Sequence, residues 1–196
     1  MIHRSEGLTR WLRGLVLLSL AAIARSAASN PEDELKSATV LTFVRHSFWH
    51  DGETGPIRIA VLGRPAMIST LRRTLEGRTA NNRAIRILDV RSIAELPSCN
   101  VLYIASDDNK EIRQTLAASR ASRALTIGES NRFLEYGGVV NLLIVDGRMS
   151  FEVSREALDR AGVTISSTLL RYGQMVPSVA PSVAPSVAPR TARPPA

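Results

Sequence analysis

Apolar positions along this chain fall into short blocks of strand length separated by stretches that read as helix. The blocks occupy 57–62, 85–90, 101–104 and 125–127; the helical stretches occupy 66–75, after Pro65, and 108–118, after Ser106-Asp107. Strand and helix alternating at this spacing predict a parallel sheet covered on both faces. Ahead of the first block, 31–49 predicts a helix. Asn30 is placed to cap it, Pro31 takes the first helical position, and Glu32, Asp33 and Glu34 bring negative charge to the first turn. Leu35, Ala38, Leu41, Val44 and Phe48 recur along it at helical spacing.

The C-terminal third reads differently. Two apolar runs, 139–145 and 148–153, flank Asp146-Gly147, a pair that supplies the positive φ angles of a tight type I′ turn, so a β-hairpin is expected. Ser154 is placed to cap a further helix through Ala161, with Gly162 as its stop. Ile165, Leu169 and Leu170 belong to one more apolar segment of helical character. The expected fold class is therefore α/β: a mostly parallel mixed sheet flanked by helices, with a C-terminal antiparallel hairpin.

Both ends of the chain have compositions of their own. Arg4, Arg10 and Arg13 precede an uncharged run of eleven residues, 14–24, followed by Ser26-Ala27-Ala28. A spanning helix needs about 20 apolar residues, so this run has the length of a signal-peptide core instead. Cleavage is expected after Ala28, with Ala24 as an earlier site, and no cysteine stands near either to carry a lipid. From 177 to 188 the chain repeats Pro-Ser-Val-Ala three times. A proline at every fourth position blocks helix and central strand alike, so a disordered, extended tail is expected over 177–196. The expected organisation is a signal peptide over 1–28, an α/β domain over 29–176, and the tail.

The net charge of +7 suggests nucleic acid only until it is mapped. Six of the 25 basic residues lie in the two terminal segments, and the span 30–176 carries just two more bases than acids. With no basic stripe interleaved with aromatics, no nucleic-acid partner is expected. Cys99 is the only cysteine, so no intramolecular disulfide can form, and the expected state is a small buried side chain. His46 and His50 stand four apart with Asp51 and Glu53 beyond, but the helical Glu of a metalloprotease is missing, and no metal is expected. Gly63-Arg64-Pro65 opens a helix after a strand, where backbone N–H groups can receive an anion, yet it lacks a phosphate-loop pattern and reads as a turn. Asp107 reads as a helix cap and Asp108 as a first-turn acid, and no Gly-x-Ser-x-Gly nucleophile motif is present. No catalytic residue and no cofactor are expected. The loops 63–65, 106–109 and 128–131 should gather at the carboxyl edge of the sheet, where open α/β sheets bind ligands.

Several blocks then fall in a recognisable order: Glu34-Leu35-Lys36, Phe43-Val44, Phe48-Trp49, Ile59-Ala60-Val61-Leu62-Gly63 and Leu75-Glu76-Gly77-Arg78-Thr79. They continue with Leu96-Pro97-Ser98-Cys99-Asn100-Val101-Leu102-Tyr103-Ile104, Gly137-Gly138-Val139-Val140-Asn141, Asp146-Gly147-Arg148, Phe151-Glu152-Val153 and Ala161-Gly162-Val163-Thr164-Ile165 through Leu169-Leu170. Over about residues 34–176 the chain resembles the YfiR family of exported bacterial proteins. The resemblance implies a homodimeric periplasmic regulator that docks on the periplasmic part of an inner-membrane diguanylate cyclase, or a similar receptor, and represses cyclic-di-GMP synthesis. The alternative is a periplasmic small-molecule sensor or carrier without a cyclase partner. A disulfide pattern found in that family has no counterpart here, His50 stands where relatives often place proline, and the tail is an addition. The block most like the family points to Glu152, Ile165, Leu169 and Leu170 as the partner-binding surface; the same apolar residues could instead close the core or a homodimer contact.

Overall fold

The computed structural model describes residues 30–49, 52 and 54–176. The expected leader and tail, and the His50, Asp51 and Glu53 of the metal reading, lie outside the described residues. In chain order the helices are α1 (Pro31–His46), α2 (Pro65–Leu75), α3 (Asn109–Ser119), α4 (Arg155–Ala161) and α5 (Ser167–Leu170). The strands are β1 (Ser47–Trp49), β2 (Ile57–Gly63), β3 (Thr79–Ala80), β4 (Arg83–Val90), β5 (Val101–Ala105), β6 (Leu125–Gly128), β7 (Val140–Val145), β8 (Arg148–Ser154), β9 (Val163–Ile165) and β10 (Gln174–Val176).

Eight strands form one mixed sheet in the order β10-β8-β7-β6-β5-β2-β4-β3, and β1 pairs with β9 in a separate two-stranded ribbon. The central strands β4, β2, β5, β6 and β7 run parallel. The expected fold class is the observed one. Alternate residues of β2 and β5 point to opposite faces and build two cores. One holds Ile59, Val61 and Tyr103 beneath α1, α2 and α4; the other holds Ala60, Leu62 and Leu102 beneath α3 and Phe133. From β2 the chain passes to β4 on one side, then returns across to β5 and β6 on the other. That reversal makes the carboxyl ends of β2 and β5 the topological switch point.

The hairpin forms as the Asp-Gly pair requires: Asp146 has φ 50° and Gly147 φ 72°, and β7 and β8 pair from Val145↔Arg148 to Val140↔Val153. Ser154 accepts from the Ala157 N–H at 3.3 Å, and Gly162 ends α4 with φ 65°. Asp108, rather than Asp107, caps α3, accepting from the Lys110 and Glu111 N–H groups at 2.8 and 3.4 Å.

The first helix departs most from expectation. It stops at His46, and Ser47–Trp49 is strand, held by β9 and by the Ser166 N–H donating to the His46 carbonyl at 2.8 Å. The expected apolar stripe is buried only in part: Leu41 and Val44 lie in the core as expected, and Leu35, Ala38 and Phe48 do not. Leu35 and Phe48 are 46% and 50% exposed, whereas Asp33, Lys36, Ser37, Val40, Leu41, Phe43 and Val44 are buried. The stripe fails in the first turns, where Asp33 and Lys36 find partners inside, and at Phe48, which lies beyond the end of the helix.

Candidate functional site

The two edges of the sheet differ in kind. At the carboxyl edge, Gly63 ends β2 so close to β5 that a Cβ on it would lie 2.1 Å from the Ala105 carbonyl oxygen. Only glycine lets the backbones meet there. The next residue, Arg64, donates its backbone N–H to that same oxygen at 3.0 Å and precedes Pro65 at the start of α2. Its guanidinium then bridges two acids, Glu129 beyond β6 at 2.7 Å and Asp33 on α1 at 3.3 Å. The Lys36 ammonium donates to the second oxygen of Glu129 and pairs with Glu32 one turn back on α1. The side chains of Asp33, Glu129 and Lys36 are 3%, 5% and 8% exposed, so these are desolvated pairs.

The electrostatics follow from that burial. Desolvation disfavours the charged Lys36, yet the hydrogen bonds and charges of Glu129 and Glu32 outweigh it and hold the ammonium above the usual lysine range. Arg64 is raised in the same way, burial opposing and Glu129 and Asp33 prevailing. The hydrogen bond from Lys36 holds the Glu32 carboxyl below its ordinary value. Beneath the cluster, the Tyr103 hydroxyl is buried without a hydrogen-bond partner, and burial, then the Glu129 charge, pushes its ionisation well up. The expected loops 63–65, 106–109 and 128–131 do gather at this edge, and the Arg64–Glu129 ion pair ties the first to the last. The arrangement clamps α1 onto the switch point.

At the opposite edge the structure opens. A cleft of about 280 Å³ lies between the end of α3, the start of β6 and α4, lined by Arg120, Arg123 and Arg160. Two neighbouring hollows, of about 200 and 360 Å³, share Ser98, Cys99, Ala121 and Ser122 in their walls. Cys99 is buried, as expected, and burial pushes its thiol up to about 11. Among the described residues no group of three metal-ligating side chains occurs, and His46 lies against the Thr42 carbonyl with its Nδ1 at 2.9 Å.

The four residues expected to meet a partner divide. Ile165 and Leu169 lie in the core at 5% and 8% exposure, and Leu170 is half-buried against it. Glu152 is half-exposed on β8, between Asn141 of β7 and Gln174 of β10. Along that same margin, large apolar side chains stand in the open: Ile144 and Val145 at the end of β7 (39% and 51% exposed), and Tyr172 just ahead of β10 (79%). Sequence reasoning passed over Asp33, Lys36 and Glu129. The available signal was a charged pair three apart in a helix whose stripe was otherwise apolar. It also passed over Arg120, Arg123 and Arg160, which only the fold brings together.

Fold and edges together define a doubly wound α/β domain with a clamped carboxyl edge and an apolar margin on its last strands. A family model, YfiR/HmsC-like, matches residues 33–174, and the chain belongs to that family. No curated protein matches the chain. Among solved structures, a conserved domain protein from Vibrio cholerae is similar at 12% identity and TM-score 0.51, covering 74% of this chain and 60% of that one. That likeness is one of fold, and the chain spans only about 60% of the Vibrio structure. An ABC domain in complex with L-Trp from Streptococcus pneumonia aligns at 12% identity and TM-score 0.43, over 61% of this chain and 55% of that one. Among the described residues no helix is long and apolar enough to cross a membrane.

Proposed function

We propose that this chain is exported to the periplasm and represses a membrane diguanylate cyclase by docking on its periplasmic part through the margin formed by β7, β8 and β10. The observation that carries the reading is the family match, which runs through both the core and this margin. Exposed aromatic and aliphatic side chains beside a few charges are what an interface uses to anchor a partner. Ile144, Val145 and Tyr172 supply the anchors, Glu152 the charge and Leu170 a half-buried contact, while Ile165 and Leu169 belong to the core. The homodimer implied by the resemblance is part of the same proposal.

The test is cellular. Glu152→Lys, Leu170→Ala and the pair Ile144→Ser with Tyr172→Ala are each expressed in a deletion strain, and cyclic-di-GMP is measured. The exposed pair should leave the melting temperature unchanged and raise cyclic-di-GMP to the level of the deletion. Folded variants that repress as well as the parent would remove this margin from the interface.

A further inference from the structure

The cleft at the amino edge gathers positive charge without a matching carboxylate in its walls. Arg120 follows α3, Arg123 ends the short 3-10 turn Arg120–Ser122, and Arg160 lies on α4. Two of the guanidinium groups converge on one point. A Cβ placed on Gly137 would have Arg120 Nη2 and Arg160 Nη1 both at 3.8 Å, with Arg160 Nη2 at 3.9 Å. Among the described residues neither Arg120 nor Arg123 forms an ion pair, and Arg160 has only Glu156, 3.9 Å from its Nε and four residues back on the same helix. Arg123 also holds a left-handed backbone, φ 51°, which a non-glycine residue adopts at some cost. Like charges brought together repel, and a shared anion relieves that repulsion.

From this geometry we infer that the cleft is a binding site for a small phosphate monoester. A phosphate offers three acceptor oxygens and a charge of about −1.5 to −2 at neutral pH, enough for two guanidinium forks at once, where a carboxylate has one charge to share. The floor of the cleft, with Leu116, Val139 and Ala157, is apolar, which suits an ester with a carbon body better than inorganic phosphate. The volume of about 280 Å³ lies just below the range of about 300–1,000 Å³ usual for small-molecule sites, so the body is of single-ring size. The inference is independent of the docking proposal: the cleft uses none of the residues of the β7–β8–β10 margin.

Phenyl phosphate is the probe, titrated into the full-length exported protein by calorimetry, with inorganic phosphate and phenol as comparators. Phenyl phosphate should bind more tightly than either. Arg120→Ala and Arg160→Ala should each weaken it by about ten- to a hundredfold, as loss of a charged hydrogen bond predicts, with unchanged melting temperature. Arg160→Lys, which keeps the charge but loses the fork, should fall between parent and Arg160→Ala. Arg72→Ala, an exposed arginine on α2, should leave binding unaltered. Phenyl phosphate that fails to saturate the protein, binding indifferent to Arg120 and Arg160, or equal weakening by Arg72→Ala would each overturn the site.

Discussion

Cys99 is 6% exposed, and its thiol, raised by burial to about 11, stays protonated at any physiological pH. The thiolate, the form that attacks a disulfide, is correspondingly scarce in the folded protein. Ellman's reagent should therefore label the folded protein slowly and the urea-unfolded protein at once; rapid labelling of folded protein would show that one of the two hollows beside Cys99 admits the reagent. The sign also fixes an alkaline effect. Because the folded value lies above the ordinary 9.0, the unfolded chain ionises first as pH rises, and the thiol then favours unfolding. A single inert cysteine leaves the protein without the disulfide pattern that its resemblance to the YfiR family implies, so whatever regulates it works without intramolecular bridging.

The helix α1 is anchored to the rest of the molecule by two unlike devices, and each makes its own prediction. Along its C-terminal half Phe43 meets Phe151 edge-on, with ring centroids 4.9 Å apart, an ordinary apolar contact. At its N-terminal end it is anchored by Lys36 and Asp33 through Glu129 and Arg64. Lys36→Met should cost about 3 kcal/mol in urea melts, because Glu129 keeps a buried charge with one partner fewer, and adding Glu129→Gln should recover part of that loss. Additive costs would show that the two residues act separately. The raised Lys36 contributes stability that is complete below 10.5 and lost as pH rises through its folded value. The lowered Glu32 contributes stability present above 4.5 and lost as pH falls through its folded value, so the clamp's contribution should be flat between about pH 5 and 10. This helix also marks where the sequence stopped being legible. Strands β2, β4, β5, β6, β7 and β8, helices α2 and α3, and the Asp146-Gly147 turn follow from local chemistry and read correctly from it. The burial phase of α1 depends on Glu129, 93 residues beyond Lys36, and no local pattern announces that partner. The pairings of β1 with β9 and β10 with β8 were invisible for the same reason: each is three residues long and takes its register from a distant strand.

Seen whole, the sheet has a different use for each of three boundaries. Its carboxyl edge is tied to α1 by ion pairs, its amino edge opens on the arginine cleft, and its last strands present apolar side chains to solvent. That third boundary depends on β10, which follows Tyr172 and immediately precedes the proline-rich segment. Gln174, Met175 and Val176 pair in parallel with Glu152, Val153 and Ser154, and Gly173 lies so close to Phe151 that a Cβ on it would fall 2.0 Å from the ring. Fold and tail should therefore separate at one residue. A chain ending at Val176 should keep the melting temperature of the full protein, since a Pro-Ser-Val-Ala repeat has little apolar surface to bury. A chain ending at Gly173 should melt several degrees lower, because it strips the pairing from β8 and removes Met175, a partly buried side chain packed on the core. If the margin docks on a cyclase as proposed, this shorter chain should also lose repression in cells. Equal melting temperatures for the two truncations would mean that β10 adds nothing to the sheet, and a drop on removing 177–196 alone would mean that the tail packs on the domain.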